Sequence, residues 1–425
     1  MKIAITFLLV SLLLYSGPVL AEEIPLSVDE AVALALRNNR DVLLKAEDVK
    51  KAKEKIAEAE AARLPSLTVS AGESETRGYY SKELTQTSTQ TTLKQYLYKG
   101  GKTASTIKQN EYKSEVSGAL LDKTKLDVTL SVKKAFYTLL LSEEFVHLNK
   151  SIVDNTKEHL STVRERYKSG QASESDVLAI EASLAAVEQA YEFSLNQKEI
   201  SRVLLNNLLY LDDATRIKPN VQFIYEVQDF SYDEGLLKAM KNRPEIKQYE
   251  VQLKSDKLAV DIAKADNRPS IYASWDYYSR SHNSATSEKG WNDYNVIGIT
   301  FSWPIFDGFA TKAKVEQAII DVRETQLLKE KTINDIAMEL KNAYLSLSAA
   351  LTGLETTGLD MTVYSDNLKN IKEKHAQGIM STLDLDDATL KHDIALFNNK
   401  QAVYDCLIAR STADKAMGYE QLNNK

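Results

Sequence analysis

Three carboxylates close together near the C-terminal end are the residues best placed to do chemistry. Asp384, Asp386 and Asp387 form this acidic cluster. On a helix, Asp384 and Asp387 are i,i+3 neighbours and share one face. Paired carboxylates attract cations, and each raises the cost of ionising the other. Asp384 and Asp387 are therefore a candidate charged pair, whereas we expect Asp386 to lie on a solvated face.

The same region carries the signature of a helix start. Ser381-x-x-Asp384 has the spacing of a capping box, in which a serine and an acid three residues later satisfy backbone N–H groups. Ser173-x-x-Asp176 repeats this spacing earlier in the chain. We expect Ser173, Asp176 and Ser381 to stabilise the starts of two helices.

The sequence lacks a combination of residues typical of catalysis. None of its five histidines stands at a metal-site or triad spacing, and it has no glycine-rich phosphate-binding loop. The single cysteine, Cys406, excludes an internal disulfide bond and any multi-cysteine metal site. We therefore expect neither an enzyme nor a bound cofactor or metal.

Composition narrows the class of protein further. The chain has 425 residues, with 53 basic and 60 acidic side chains and a net charge of −7. This acidic balance argues against a nucleic-acid-binding protein. Only 15 glycines and 7 prolines occur, which is few for a large all-β fold rich in tight turns.

Residues 1–21 have the pattern of a signal peptide. Lys2 precedes the apolar run 3–15, which is too short to span a bilayer, and Ala21 ends a cleavage motif before Glu22. A retained membrane anchor is the alternative, and the absence of a following cysteine argues against a lipid anchor. No later segment offers the ~20 apolar residues of a spanning helix. We expect an exported protein, either soluble or inserted through β-strands.

The chain also contains an internal duplication. Residues 64–67 match residues 268–271 at an offset of 204, and residues 97–100 match residues 305–308 at an offset of 208. An insertion of four residues in one loop explains the change of offset. The duplication predicts two structural repeats, at 22–229 and 230–425.

Each repeat shows the same order of predicted elements. A helix comes first, at 27–63 and 231–267, and is followed by two strands whose apolar residues alternate clearly in the second repeat. Aromatic residues cluster around the four strands, as they do at the two interfaces of a membrane β-barrel. An ordinary soluble β-hairpin is the alternative, because its strands also favour aromatics.

A very long helix comes next in each repeat. Apolar residues at steps of three and four predict a helix from about 104 to 168, and the same register recurs 208 residues later. Such a helix would measure roughly 95 Å at about 1.5 Å per residue, so its narrow apolar stripe requires partner helices. Gly170 and Gly378 should end the long helices, and helices at about 174–210 and 382–417 return antiparallel.

This pattern resembles the TolC-like outer-membrane efflux protein family over residues 24–420. The motifs that carry the resemblance are Leu26-Ser-Val-Asp-Glu-Ala-Val, Arg63-Leu-Pro-Ser, Trp303-Pro-Ile-Phe-Asp-Gly-Phe, Arg166-Tyr-Lys-Ser-Gly and His375-Ala-Gln-Gly. The resemblance implies a mostly α, α+β fold: a homotrimeric outer-membrane β-barrel with four strands per chain, continued by a periplasmic α-helical barrel. From the residues alone, four strands cannot close a barrel, and either two or three chains would.

The resemblance also implies a function and functional residues. The protein would be the passive, gated exit duct of a tripartite efflux or type I secretion system, working with a periplasmic adaptor and an inner-membrane pump. Asp384 and Asp387 match the family's acidic pore constriction. The positions that match the adaptor-contacting tip are Tyr167, Lys168, Gly170, Gln171, Ala172, His375, Gly378, Ile379 and Met380.

His375 and Met380 depart from the family pattern, which often has an aromatic residue and a basic residue at these two places. An exported coiled-coil scaffold or binding protein without a pore is the competing interpretation of the long helices. The four strands at matching positions argue against it, because a scaffold does not need two duplicated hairpins. Drugs, metals, peptides and proteins are all compatible cargoes.

Overall fold

A computed structural model describes residues 23–79, 82–220, 223–226, 231–283 and 290–419. The expected signal peptide, its cleavage site and the expected repeat boundary at 229/230 lie outside the described residues.

The described residues of the first half form eight elements. In chain order they are β1 (Glu23–Leu26), α1 (Val28–Asn38), α2 (Arg40–Ala61), β2 (Ser66–Tyr79), β3 (Lys82–Lys99), α3 (Lys102–Lys168), α4 (Glu174–Leu209) and β4 (Arg216–Pro219).

The second half repeats the middle six of these in the same order. They are α5 (Tyr232–Asn242), α6 (Pro244–Ala265), β5 (Ser270–Asn283), β6 (Trp291–Ser302), α7 (Ala310–Ala376) and α8 (Thr382–Ala416). The long helices α3 and α7 each span 67 residues. The mostly helical α+β fold expected from the sequence is confirmed.

The helix expected at the start of each repeat is in fact two helices, so that expectation is wrong. The breaks fall at Asn39 (φ −62°, ψ 127°) and Arg243 (φ −65°, ψ 122°), where the backbone is extended. Pro244 explains the second break, because proline disfavours the helical conformation of the residue before it. At the first break, the buried Asn39 amide donates a hydrogen bond to the carbonyl of Leu208.

The four long strands form one antiparallel sheet in the order β2-β3-β5-β6. The predicted strands therefore exist, but the sequence did not reveal that β3 pairs with β5 and joins the two halves. β1 and β4 form a separate, two-stranded parallel sheet that was not predicted.

The described chain falls into two compact units, and each draws on both halves of the sequence. The first unit lies within residues 1–39, 128–228 and 347–411. Its buried side chains come mainly from α3, α4 and α8, and Val132, Leu139 and Val153 belong to the predicted stripe of α3. The largest fully buried side chains of this unit include Phe136, Leu205, Leu209, Asn206 and Cys406.

The second unit lies within residues 40–127, 229–346 and 412–425 and contains the four-stranded sheet. Its hydrophobic core consists of small and aliphatic side chains from α5, α6, α7 and the end of α8. The members of this core are Ala239, Ile246, Ile336, Leu340, Ala343, Ala413, Ala416 and Met417. Four of these eight residues are alanines, so small side chains fill half of the positions in this core.

Among the helices of the described residues, none combines the length and apolar character that crossing a membrane would require.

Candidate functional site

The turn between α3 and α4 is built around Gly170. The N–H of Gln171 donates to the carbonyl of Arg166 at 2.7 Å, and the N–H of Gly170 donates to Tyr167 at 3.0 Å. These two hydrogen bonds define a Schellman motif, which needs a residue with positive φ. Gly170 supplies it at φ 75° without the steric cost of a side chain.

The turn between α7 and α8 repeats this geometry. The backbone N–H of Ile379 donates to the carbonyl of Lys374 at 2.9 Å, and the N–H of Gly378 donates to the carbonyl of His375 at 2.9 Å. The φ angle of Gly378 is 73°. Both turns lie in the first unit. Most of the nine expected tip residues are exposed, while Ala172, His375 and Met380 are half-buried.

Ser173 and Asp176 form a capping box at the start of α4. The Asp176 N–H donates to Ser173 Oγ at 3.2 Å, and the Ser173 N–H donates to Asp176 Oδ2 at 2.8 Å. The same pair of bonds joins Ser381 and Asp384, at 3.2 and 2.9 Å. In each box the hydrogen bonds from the serine lower the pKa of the aspartate below its usual value. Both aspartates are therefore held ionised while they cap their helices.

Asp387 has a partner that the sequence analysis overlooked. Lys391 Nζ lies 2.6 Å from Asp387 Oδ2, and both side chains are exposed. The hydrogen bond to Asp387 raises the pKa of Lys391. The i,i+4 spacing of an acid followed by a lysine is a sequence signal that would have found this pair. Asp384 and Asp387 thus share the first turns of α8, with one charge in a cap and the other in an exposed ion pair.

Asp386 does not lie on a solvated face, which corrects the expectation. It is half-buried, and burial together with the negative charge of Glu158 raises its pKa. The nearby His159 and His375 act in the opposite direction. The carboxylate of Asp386 therefore faces α3 and the end of α7, whereas Asp384 and Asp387 remain exposed.

The two helical hairpins differ in how their helices are joined. Arg164 pairs with Glu181 at 2.7 Å and Lys157 pairs with Glu188 at 3.0 Å, which connects α3 to α4 near its end. The residues 208 positions later than the two acids are Thr389 and Leu396. These side chains cannot form the equivalent ion pairs, so the second hairpin lacks this link.

The four-stranded sheet has two chemically different faces. One row across all four strands is apolar and consists of Leu67, Leu93, Trp275 and Ile297. These side chains are exposed, and that of Ile297 retains 81% of its accessible surface.

The opposite face of the sheet carries a polar network. Thr92 donates to Asp276 at 2.6 Å, and Gln90 donates to Asp276 at 3.2 Å and to Tyr278 at 3.0 Å. Exposed apolar side chains opposite a polar network are the reverse of a soluble sheet, whose apolar face is covered.

A cavity of about 230 Å³ between α3 and α8 is lined by several polar side chains, four of which pair with one another. Glu144 pairs with Lys400, and Ser151 donates to Asp393. Within the part of the chain that the structure describes, no three histidine, cysteine or acidic residues come together in a way that could hold a metal ion.

The sequence pattern described as outer membrane efflux protein matches residues 31–209 and 236–419. Protein CyaE of Bordetella pertussis is 22% identical over 337 residues, which cover 78% of this chain and 71% of that protein. The probable outer membrane lipoprotein SilC of Salmonella typhimurium is 22% identical over 396 residues, covering 90% and 83% of the two chains.

A solved structure with a similar fold is the CmeC outer membrane channel of Campylobacter jejuni. It aligns with a TM-score of 0.74 and 19% identity, covering 93% of this chain and 87% of that one. At this level of identity the likeness concerns the fold.

Proposed function

Because the chain belongs to the outer membrane efflux protein family, we propose that it forms, as a homotrimer, the passive, gated exit duct of a tripartite efflux or type I secretion system. The protein is an outer-membrane efflux channel, and members of its family work with adaptor and inner-membrane partners.

The two-faced sheet is the observation that carries the proposal. A row of exposed apolar side chains suits contact with lipid, and the polar network behind it suits an aqueous lumen. Among the described residues of a single chain, no strand pairs with the outer edge of β2 or of β6. Unpaired backbone groups are not tolerated in lipid, so the sheets of neighbouring copies must join edge to edge into a closed wall.

The long helices are the second support for several copies around one duct. α7 keeps large apolar side chains exposed along its length, including Leu327, Met338, Leu345, Leu359 and Val363. Exposed apolar surface on this scale marks a contact with another protein. We assign these side chains to contacts between neighbouring copies.

Asp384 and Asp387 are the proposed constriction of the duct. Both are exposed at the start of α8, and in a homotrimer they would form two rings of three carboxylates. Such rings attract cations and disfavour anions. Because Lys391 lies against Asp387, the Asp387 ring carries less effective charge than the Asp384 ring.

The second helical hairpin is the proposed moving part of the gate. The first hairpin is joined by the Arg164–Glu181 and Lys157–Glu188 pairs, and the second lacks their equivalents. Exposed ion pairs contribute little individually, but two of them near one turn favour one arrangement of the helices. The second hairpin therefore shifts more easily, and it also carries Asp384 and Asp387.

The two turns are the proposed docking surface for a periplasmic adaptor. They present glycine-based ends with exposed side chains, notably Tyr167, Lys168 and Ile379. We propose that this duct performs no catalysis and that the energy for transport comes from the inner-membrane partner.

Fractionation followed by conductance measurement tests the proposal. The protein should be recovered from outer membranes as an oligomer, and the purified oligomer should form cation-preferring pores in planar bilayers. Recovery only as a soluble periplasmic protein, or an outer-membrane oligomer without conductance, would overturn it.

A further inference from the structure

The two halves of the second unit correspond residue by residue around the sheet. Gln95 Nε2 donates to the carbonyl of Arg63 at 2.7 Å, and Trp303 Nε1 donates to the carbonyl of Asn267 at 3.2 Å. Trp303 follows Gln95 by 208 positions, and Asn267 follows Arg63 by 204. The same two offsets relate the pairing of β2 with β3 to that of β5 with β6. A contact made by one half thus predicts its counterpart in the other.

At the sheet, the first half of the chain meets the second half where β3 pairs with β5, and we call this contact the internal seam. Lys99 lies opposite Ser270 in this pairing. Just beyond, Gly100 packs so closely that an added Cβ would lie 2.8 Å from Arg268 Cβ. Arg268 Nη1 also donates to the carbonyl of Gly100 at 3.0 Å.

Ion pairs reinforce the internal seam. The Asp266 carboxylate forms ion pairs with Lys102 Nζ at 2.6 Å and with Lys314 Nζ at 3.1 Å. These pairs connect the starts of α3 and α7 to the end of α6. The hydrogen bonds from these two lysines lower the pKa of Asp266. The internal seam is therefore held by an arginine and by charged groups.

Both sides of a second, equivalent seam are present on the same chain but do not meet. The counterpart of Gly100 is Gly308, which has φ 67° and nothing within 4 Å of where its Cβ would be. The counterpart of Arg268 is Leu64, which is 67% exposed. Ala265 is buried in the internal seam, and its counterpart Ala61 is exposed. Each surface is shaped for the other and needs a second copy to meet it.

Phe309 gives an independent indication of what covers this surface. Its counterpart is Gly101, and Phe309 keeps the left-handed conformation at φ 68° although it carries a side chain. A left-handed conformation costs a residue with a side chain about 1–2 kcal/mol. The Phe309 ring is also 69% exposed. A strained, exposed aromatic side chain points to a binding contact that compensates for both costs.

We propose that neighbouring copies join through a specific apolar seam, in which Phe309 of one copy packs against Leu64 of the next. This inference rests on the proposed oligomeric duct and defines how its copies meet. β6 pairs antiparallel with β2 of the next copy in the register that the two offsets dictate, with Ser302 opposite Ser70 and Phe301 opposite Ala71. Because the contact joins two different surfaces, repeating it generates a ring if the rotation between copies closes. In lipid only the closed ring leaves no strand edge unpaired.

The seam between copies has a different chemistry from the internal seam. Ala62 takes the place of Asp266, Ala310 that of Lys102 and Thr106 that of Lys314, so this seam lacks both the acid and the lysines of the internal seam. Leu64 takes the place of Arg268, and Phe309 takes the place of Gly101. The internal seam thus has a guanidinium beside a glycine, whereas the seam between copies has an aliphatic side chain beside an aromatic ring. The contact between Leu64 and Phe309 is consequently apolar.

Disulfide trapping tests the register. In a Cys406→Ala background, Ser70→Cys with Ser302→Cys should yield oligomers covalently linked between copies under oxidation and separated by reductant. The matched control is Ser74→Cys with Ser302→Cys, which displaces one thiol by four residues, about 13 Å along the strand. Efficient crosslinking of the control but not of the first pair would overturn the register.

Exchanging the side chains tests the chemistry. Leu64→Arg alone should lower the fraction of oligomer that survives detergent by about tenfold, because it places a charge against Phe309. Adding Phe309→Gly should restore the oligomer, since the pair then reproduces Arg268 beside Gly101. Failure of the double variant to recover, with Leu64→Arg impaired, would overturn the Phe309–Leu64 contact.

These outcomes separate the seam from the proposed function. If the wild-type oligomer conducts but only the out-of-register pair crosslinks, the seam is wrong and the duct stands. If the wild-type protein is a soluble monomer, both are wrong.

Discussion

Arg243 and Glu339 form an ion pair across 96 positions of sequence, with Arg243 Nη2 lying 2.8 Å from Glu339 Oε2. The same guanidinium binds Glu245 at 3.0 Å and the carbonyl of Lys415 at 2.9 Å. The Arg243 side chain is only 5% exposed. The residue that interrupts the helix between α5 and α6 therefore also joins α7 and α8 within the second unit.

Arg243→Ala should lower the free energy of unfolding by about 3 kcal/mol or more, because it leaves buried acceptors without their partner. Urea unfolding of the purified protein measures this loss. Lys45→Ala is the matched control, since its pair with Asp48 is exposed and should contribute less than about 1 kcal/mol. Equal effects of the two changes would show that Arg243 does not hold the helices together.

Removing both proposed constriction acids should weaken block of the pore by multivalent cations. Asp384→Ala with Asp387→Ala deletes both carboxylate rings, and planar-bilayer conductance with added multivalent cations measures the change. Asp176→Ala is the matched control, because Asp176 caps α4 in the same way but has no second acid three residues later. Unchanged block in the double variant would refute the constriction.

Lys391→Ala sharpens this test because it acts in the opposite direction. It removes the positive charge that lies 2.6 Å from Asp387. The freed carboxylate should make cation block stronger than in the wild type.

The sequence predicted features that depend on residues close together in the chain better than contacts between distant segments. The strand pattern and the stripe containing Val132 and Leu139 are periodic, and periodicity reports the buried face of an element. β1 and β4 have only four residues each and pair across the whole first half, so no local signal marks them. The break before Pro244 was not predicted, although the sequence contains a local signal for it. A residue that precedes proline is biased away from the helical conformation.

The candidate site shows the same division. The Ser381–Asp384 and Asp387–Lys391 contacts lie within a helical turn and follow from spacing. The half-burial of Asp386 depends on Glu158, which is distant in sequence, so it required the structure.

The cap at the start of α8 should weaken in acid. The folded-state pKa of Asp384 is lowered by Ser381, so its stabilising contribution is complete above the unfolded pKa and is lost as pH falls through the lower folded value. Below about pH 4, hydrogen exchange at the start of α8 should increase relative to its intrinsic rate. Asp384→Asn should show faster exchange at neutral pH and little further change in acid.

Asp233→Asn is the control for this experiment, because the Ser231 side chain at the start of α5 makes no capping hydrogen bond. If acid increases hydrogen exchange equally at the starts of α5 and α8, the change reflects general acid unfolding and not loss of the Asp384 cap.

Cys406 should resist thiol reagents until the protein unfolds. Burial, with a smaller effect of the Asp405 charge, raises the pKa of its thiol to about 11. At pH 8 its reaction with iodoacetamide should be on the order of 100-fold slower than that of an exposed cysteine, since the thiolate is the reactive species. Ser169→Cys in the Cys406→Ala background supplies the exposed comparison. Rapid labelling of folded wild type would contradict the buried position.

Gly100 and Gly308 should respond differently to alanine, because one seam is complete in a single chain and the other needs a second copy. Gly100→Ala places a Cβ 2.8 Å from Arg268 Cβ and 3.0 Å from the Ala265 carbonyl, so it should destabilise the chain itself. Gly308→Ala meets open space within the chain and should cost only the left-handed strain of about 1–2 kcal/mol there. In the oligomer it should clash with the next copy.

Gly170→Ala is the control that separates the clash with a neighbouring copy from the backbone strain. Gly170 has a similar φ of 75° and equally open surroundings, but it lies in a different turn. Thermal unfolding in detergent measures the stability of the chain, and electrophoresis without heating measures survival of the oligomer. Gly308→Ala and Gly170→Ala should lower chain stability equally, while only Gly308→Ala depletes the oligomer. If the two variants retain the oligomer equally, the Gly308 turn does not touch a neighbouring copy.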